Sequence, residues 1–168
     1  NPLTDPRKGF ASLPEALAQL AQQMGPLELH LFGNKSARDM LEIPGAKLVY
    51  HGPFARKGLE EVYRRFDILL CPSLRDNSPN VLTEALAHGV PVIAQSGTGM
   101  DSYIDSNYGA LVDFHGGRST DFLCAVSRIC RTYPSASTAA LKYAVSELSP
   151  EAIGAKYLEL YEDLLTRS

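Results

Sequence analysis

Unbroken apolar runs alternate along this chain with apolar stripes of period three to four. Ile68, Leu69, Leu70 and Cys71 form one run, closed by Pro72, and residues 90–94 form a second after Gly89. A strand covered on both faces reads this way, whereas a half-exposed strand alternates. Between the runs lies NSPNVLTEALAHG, which predicts a helix over 79–88. Ser78 suits its N-cap, Pro79 its first helical position and Gly89 its C-terminal stop. Val81, Leu82, Ala85 and Leu86 share the face expected to pack on a sheet. Glu84 lies off that face, between Asn80 at i−4 and His88 at i+4. This β-turn-α-β order implies a parallel sheet.

The same reading extends in both directions. Residues 10–24 predict a helix with Phe10, Leu13, Leu17, Leu20, Ala21 and Met24 on one stripe, ended by Gly25-Pro26. LELHLF at 27–32 predicts a buried strand, with His30 as a core histidine. Residues 34–46 read as a loop with a helical turn at 36–41. A short strand at 47–50 runs into His51-Gly52-Pro53-Phe54. Residues 58–66 predict a helix with Leu59, Val62, Tyr63 and Phe66 inward and Arg64 and Arg65 on its solvated face. The loop Gln95-Ser96-Gly97-Thr98-Gly99-Met100 carries glycines of the kind needed where backbone passes close to something. A helical turn at 101–105, a strand at 109–114 and a turn at 115–117 follow. The remainder reads as three helices: one striped by Phe122, Leu123, Val126, Ile129 and Cys130, a weaker one over 135–147, and a third capped by Ser149-Pro150. Ile153, Tyr157, Leu160, Tyr161 and Leu164 share the last helix's apolar face, which is expected to face the core.

Composition narrows the classes. A length of 168 residues predicts one domain. An apolar share of 45% with 21% charged is ordinary for a globular protein. A net charge of −3 gives no broad basic field, which argues against a nucleic-acid partner. Cys71, Cys124 and Cys130 make no even disulfide framework, so a reducing, cytoplasmic setting is the simpler reading. No Cys or His pair has ligand spacing with a plausible second pair, so no metal is expected. There is no apolar run long enough to span a membrane, the opening residues do not read as a signal peptide, and no internal repeat is evident.

The chemistry follows from the β-turn-α-β unit. In such units ligands bind beyond the carboxyl ends of the strands. The free N–H groups of Asn80 and Val81 at the helix start point there, and with the helix dipole they favour an anion, most naturally a phosphate. Asp76 sits in the turn beside that anion site and Glu84 one turn deeper. Carboxylates touching a phosphate would repel it, so they are expected to accept hydrogen bonds from hydroxyls on either side of it. That describes a polyol, a phosphate and another polyol: a sugar nucleotide. Arg75 is expected either to pair with Asp76 or to stay solvated.

This stretch resembles the E-x7-E region of retaining GT-B glycosyltransferases of the GT4 type, whose pattern is PS-x-x-E-x7-E-A-x-A-x-G-x-P-V-[IV]-A. Pro72, Ser73, Asp76, Glu84, Ala85, Ala87, Gly89, Pro91, Val92, Ile93 and Ala94 match it, with Asp76 one methylene shorter than the usual Glu. The resemblance is dense over 47–94 and looser elsewhere. It implies a three-layer α/β/α Rossmann-like sandwich with a parallel sheet, the C-terminal half of a GT-B fold. It also implies the donor-binding half of a transferase that moves a hexosyl unit from a nucleoside diphosphate sugar to a glycan or glycolipid. In the family the first acid binds the transferred sugar and the second the ribose, which assigns those roles to Asp76 and Glu84. Asn77, Ser78, Pro79, Asn80 and Val81 would then lie against sugar and diphosphate.

DPRKG at 5–9 resembles the family's first loop and gives Lys8 the diphosphate; alone, Lys8 would read as a solvated side chain near a helix start. Where many members carry another basic residue, this chain has Pro2. Gly52, Pro53 and Phe54 match the loop that reads the nucleobase, and a simple strand-to-helix turn accounts for them equally. His51 is expected to be structural. The family carries a strand before DPRKG that does not fit after Asn1, so residues 1–168 are expected to be one domain of a larger two-domain enzyme. The other half would bring the acceptor groups and any peripheral membrane attachment. No cofactor or metal is implied. Two other readings stay open: half of a GT-B sugar-nucleotide epimerase, and a Rossmann-like protein-interaction module without nucleotide binding. A phosphate-receiver domain is disfavoured, because no acidic pair lies near a first strand.

Overall fold

The structure is a computed structural model that describes residues 5–32, 42–52 and 58–167. The turn expected at 36–41, the readings at Pro2, Pro53 and Phe54, and the side chain of Leu59 lie outside the described residues. In chain order the regular elements are α1 (Pro14–Met24), β1 (Leu27–Leu31), β2 (Ala46–Tyr50), α2 (Leu59–Tyr63), β3 (Leu69–Cys71), α3 (Asn80–Ala87), β4 (Val92–Gln95), β5 (Gly109–Val112), α4 (Ser119–Arg131), α5 (Tyr133–Tyr143) and α6 (Pro150–Thr166). Short 3-10 turns at Pro6–Lys8, Phe10–Ser12 and Gly99–Tyr103 and a π turn at Ala144–Leu148 join them. The helix expected from residue 10 therefore starts at Pro14, after a tighter turn.

Every strand pair is parallel. β1 pairs with β2, Leu29 opposite Leu48. β3, β4 and β5 form a second sheet, with Leu70 opposite Ile93 and Ile93 opposite Ala110. Among the described residues the strands thus fall into a two-stranded and a three-stranded sheet. One apolar cluster spans both: Leu29 and Leu48 pack with Leu70, Ile93, Val112, Leu17 and Leu20 of α1, and Phe122, Val126 and Ile129 of α4. The opposite face holds Val92 and Ala94 of β4 with Tyr63 of α2, Leu82, Ala85 and Leu86 of α3, Ala140 of α5 and Met100 of the Gly99–Tyr103 turn. Successive β4 residues point into different clusters, Ile93 one way and Val92 and Ala94 the other, and all three are fully buried. This is why the run carries no polar alternation. The arrangement is the three-layer α/β/α sandwich expected, with α1 and α4 on one side and α2, α3 and α5 on the other.

The helix ends are set locally. α3 stops in a Schellman arrangement: Gly89 N–H donates to Leu86 O and Val90 N–H to Ala85 O, with Gly89 at φ +70°. A Cβ there would also sit 2.9 Å from Ser137 Oγ of α5. α6 begins as expected, with Ser149 Oγ accepting from Ala152 N–H at 3.1 Å. Cys71 is buried at the end of β3, where burial pushes its thiol up to about 12, and all three cysteines are free.

α6 departs from expectation. None of its residues is buried, and Tyr157 and Tyr161 are 56% and 57% exposed. Both faces of the strands are already covered by α1 to α5, so the apolar stripe that periodicity assigned to the core has no sheet left to cover. Its aromatic rings lie tilted against each other, centroids 6.2 Å apart.

Fully buried Leu86 and largely exposed Leu165 give a direct test of this layering. Leu86→Ala should lower unfolding free energy by about 2–5 kcal/mol. Leu165→Ala should stay within about 0.5 kcal/mol. Urea denaturation of each variant measures both.

Candidate functional site

Because the strands are parallel, the segments leaving their C-terminal ends meet on one rim. The first piece is the 5–9 turn. Asp5 caps it by accepting from Arg7 N–H at 3.0 Å, and the Arg7 guanidinium holds the Asp5 carboxyl down to about 2. Arg7 O accepts from Leu74 N–H at 2.8 Å and from Ser73 Oγ at 3.1 Å, which docks the turn on the segment after β3. Gly9 makes the approach possible. It sits at φ +68°, and a Cβ there would lie 1.9 Å from Pro72 O.

Docking delivers Lys8 to Asp76, with Nζ 3.0 Å from Oδ2. The partner of Asp76 is thus Lys8, where sequence had offered Arg75. Burial works against charge on Asp76, but the polar surroundings, Ser73 and the Lys8 ammonium first and Arg7 further off, outweigh it and hold the carboxyl below its ordinary range. Both side chains keep solvent contact, so the pair is a reachable cation and anion rather than a sealed bridge.

α3 starts one residue later than predicted. Its N-cap is Pro79, extended at φ −69°, ψ 128°, and no side chain caps it. Ser78, expected in that place, instead accepts a hydrogen bond from Tyr103 Oη at 2.9 Å. Leu82 N–H bonds to Pro79 O. Asn80 and Val81, both exposed, thus present N–H groups at an uncapped helix start, a natural seat for an anion. Val81 was expected against the sheet and is 46% exposed. Leu82, Ala85 and Leu86 fill that face, and Val81, one residue back, is turned about 100° away.

Glu84 stands half-exposed one turn along. Tyr63 of α2 donates its hydroxyl to Glu84 Oε2 at 3.1 Å. Behind it His88 Nδ1 lies 2.7 Å from Glu84 O, and the Tyr63 and His88 rings stack at 5.1 Å. Burial, then the Glu84 charge, push the Tyr63 hydroxyl's pKa upward, so it stays a donor.

The loop after β4 braces this group. Asp101 accepts from Gly97 and Thr98 N–H, and Thr98 Oγ1 accepts from Met100 N–H. A Cβ on Gly99 would fall 2.5 Å from Asn77 Cα, so Gly99 is the glycine that makes a close approach, to the Asn77 backbone, while Gly97 serves the turn with φ +75°. Buried Gln95 donates to Asp113 Oδ1 and accepts from Phe114 N–H, tying the ends of β4 and β5.

Gly52 lies just past the end of β2 with φ +75°, and no described residue comes within 4 Å of where a Cβ would be. Its link to the rest runs through rings. His51 stacks on Phe32 and His30, both pack against Phe66, and Phe66 meets Tyr63 edge-on. His30 Nδ1 and His51 Nε2 are 2.7 Å apart. Both histidines are bonded within the fold, which fits a structural role, but β1 has no fully buried residue, so His30 lies at the edge of the packing and not in the core as expected.

The rim therefore joins Lys8 to Asp76, Ser78 to Tyr103 and Asn77 to Gly99, with Glu84 held from below. Sequence reading missed Tyr63 and Tyr103 as members. For Tyr63 the available signal was a tyrosine at an apolar stripe position, since a buried hydroxyl needs an acceptor; Tyr103, in a turn, offered none. Among the described residues no three His, Cys, Asp or Glu side chains group closely enough to hold a metal ion. None of the helices described is long and apolar enough to cross a membrane. A cavity of about 460 Å³ lined by Asn107, Tyr108, Lys142 and Tyr143 lies near the start of β5, away from this rim.

Comparison with known proteins gives a consistent picture. The family described as "Glycosyl transferases group 1" matches residues 2–132. D-inositol 3-phosphate glycosyltransferase of Mycolicibacterium vanbaalenii is 27% identical over 123 residues, covering 61% of this chain and 27% of that protein. Among solved structures, sucrose-phosphate synthase from Thermosynechococcus elongatus superposes with a TM-score of 0.71 at 22% identity, over 98% of this chain and 44% of that one. Anabaena HepE in complex with UDP and glucose superposes with a TM-score of 0.65 at 19% identity, over 94% of this chain and 45% of that one. The chain thus spans about a quarter of the curated relative and less than half of these two structures.

Gly9→Ala tests how the rim is assembled. It should cost at least about 1–2 kcal/mol from the left-handed backbone alone. It should also raise the Asp76 pKa toward the ordinary carboxylate value, because Lys8 leaves with the turn. Carboxyl-detected NMR titration reads the second effect, and an unshifted Asp76 would mean that the turn does not deliver Lys8.

Proposed function

We propose, for a chain that belongs to the group 1 glycosyl transferases and has the fold of a GT-B half, that it forms the donor-binding domain of a retaining glycosyltransferase. The donor is a nucleoside diphosphate sugar, and a hexosyl unit passes to a glycan or glycolipid acceptor. The observation that carries this reading is the uncapped start of α3, flanked by the Lys8–Asp76 pair on one side and by Glu84 one turn deeper. The UDP and glucose in the Anabaena HepE structure support the same ligand class.

The diphosphate lies against the Asn80 and Val81 N–H groups and the Lys8 ammonium. These supply positive potential where charge develops as the sugar leaves. As the donor enters, Lys8 exchanges the Asp76 carboxylate for the diphosphate, and Asp76 turns to the sugar hydroxyls. Glu84 accepts from the ribose hydroxyls and Gly52 lets the base approach the backbone. The positive charge comes from the chain itself, so the reading requires no metal ion. Residues 1–168 act as one domain of a larger cytoplasmic enzyme whose remaining half brings the acceptor, so this stretch alone binds donor weakly and transfers poorly.

A thermal-shift screen against UDP, GDP, ADP and their sugar conjugates, with and without EDTA, tests the reading. At one hundred times its dissociation constant the right ligand should stabilise by about 2.7 kcal/mol, independently of EDTA, and Glu84→Ala should abolish the shift. No shift with millimolar ligand on the complete polypeptide overturns it. Product analysis with the complete enzyme then separates transfer from epimerisation.

A further inference from the structure

We propose that Tyr63 is a positioning residue for the nucleotide ribose: through its hydrogen bond to Glu84 Oε2 it fixes the carboxylate that reads the ribose hydroxyls. This rests on the donor-site reading above and adds a residue from a different helix to it. Tyr63 is 5% exposed and its ring belongs to the apolar cluster beneath α3. A phenylalanine would fill that volume equally well. The hydroxyl is what differs, and it reaches Glu84 Oε2 at 3.1 Å and Val81 O at 3.4 Å, a side chain and a carbonyl of the same helix face.

Glu84 needs such a partner. A half-exposed glutamate on a helix samples several rotamers, and each one frozen on binding costs entropy. A charge-assisted bond from a ring already locked by packing removes that freedom before the ligand arrives. The ring is held by its stack on His88 and its edge-on contact with Phe66. Engaging one oxygen leaves the other for a vicinal diol. α2 also follows the Gly52 loop in the chain, so Tyr63 links the segment next to the base with the residue that holds the ribose.

The test compares UDP with 2′-deoxy-UDP by calorimetry on the complete polypeptide, in wild type, Tyr63→Phe, Glu84→Ala and the double variant, with GDP and ADP pairs run alongside. Wild type should prefer the ribonucleotide. Tyr63→Phe should weaken the ribonucleotide by about five- to tenfold while leaving the deoxynucleotide within about twofold. On the Glu84→Ala background Tyr63→Phe should change neither affinity, since the hydroxyl acts through that carboxylate. A purely structural Tyr63 predicts that both nucleotides weaken together, or that neither does, and either result overturns the proposal. So does a wild type that fails to discriminate. Melting temperatures show whether Tyr63→Phe is folded; if it is not, Tyr63→Met, which keeps an apolar side chain without the hydroxyl, takes its place and must show the same loss for the ribonucleotide alone. If wild type binds no nucleotide of any base, it is the donor-site reading that has failed, and the two failures are thereby distinguished.

Discussion

Burial of β4 from both sides is the constraint on which the remaining geometry depends. Val92, Ile93 and Ala94 have no exposure, so helices must cover each face, and a crossover such as α3, between β3 and β4, returns the chain so that the next strand runs parallel. Parallel strands bring all their exits to one rim. There the chain has to pass segment over segment at backbone contact, and glycines permit it: Gly9 against Pro72 O, Gly99 against the Asn77 backbone. The polar groups of the rim are placed by these two approaches more than by any bond among themselves.

Electrostatics at the rim follows from that placement. The 5–9 turn brings a lysine to Asp76, and the open start of α3 adds the positive end of a helix beside them. Aspartate is one methylene shorter than glutamate, and Lys8 meets this short side chain directly at 3.0 Å. In the proposed binding step Lys8 passes from Asp76 to the diphosphate as Asp76 turns to the sugar hydroxyls, so neither charge is left without a partner. Glu84 lies outside this exchange, tied instead to the buried Tyr63 hydroxyl.

Much of this was legible from residues alone. Unbroken runs told of two-sided burial, Gly89 marked the end of α3, and the spacing from Asp76 to Glu84 placed two carboxylates around a helix start. What escaped had physical causes. Ser78 and Pro79 both favour a helix start, and the choice between them depended on Tyr103, a residue 25 positions on that takes the serine hydroxyl. Val81 fits an apolar stripe by periodicity, but Leu82, Ala85 and Leu86 suffice to cover the strand face. The stripe on α6 is as regular as any in the chain, yet periodicity reports an apolar face and not what covers it. The roles of Tyr63 and Tyr103 reside in one oxygen atom each, which no hydrophobic pattern records.

The most direct test of the central claim is a crystal structure of the complete polypeptide with a nucleoside diphosphate sugar bound. The account predicts the diphosphate within hydrogen-bond distance of the Asn80 and Val81 N–H groups, Lys8 Nζ moved from Asp76 to a phosphate oxygen, and the ribose hydroxyls on Glu84. A nucleotide seated elsewhere, in the cavity beside Tyr108 and Tyr143 for instance, with Lys8 still on Asp76, would contradict it.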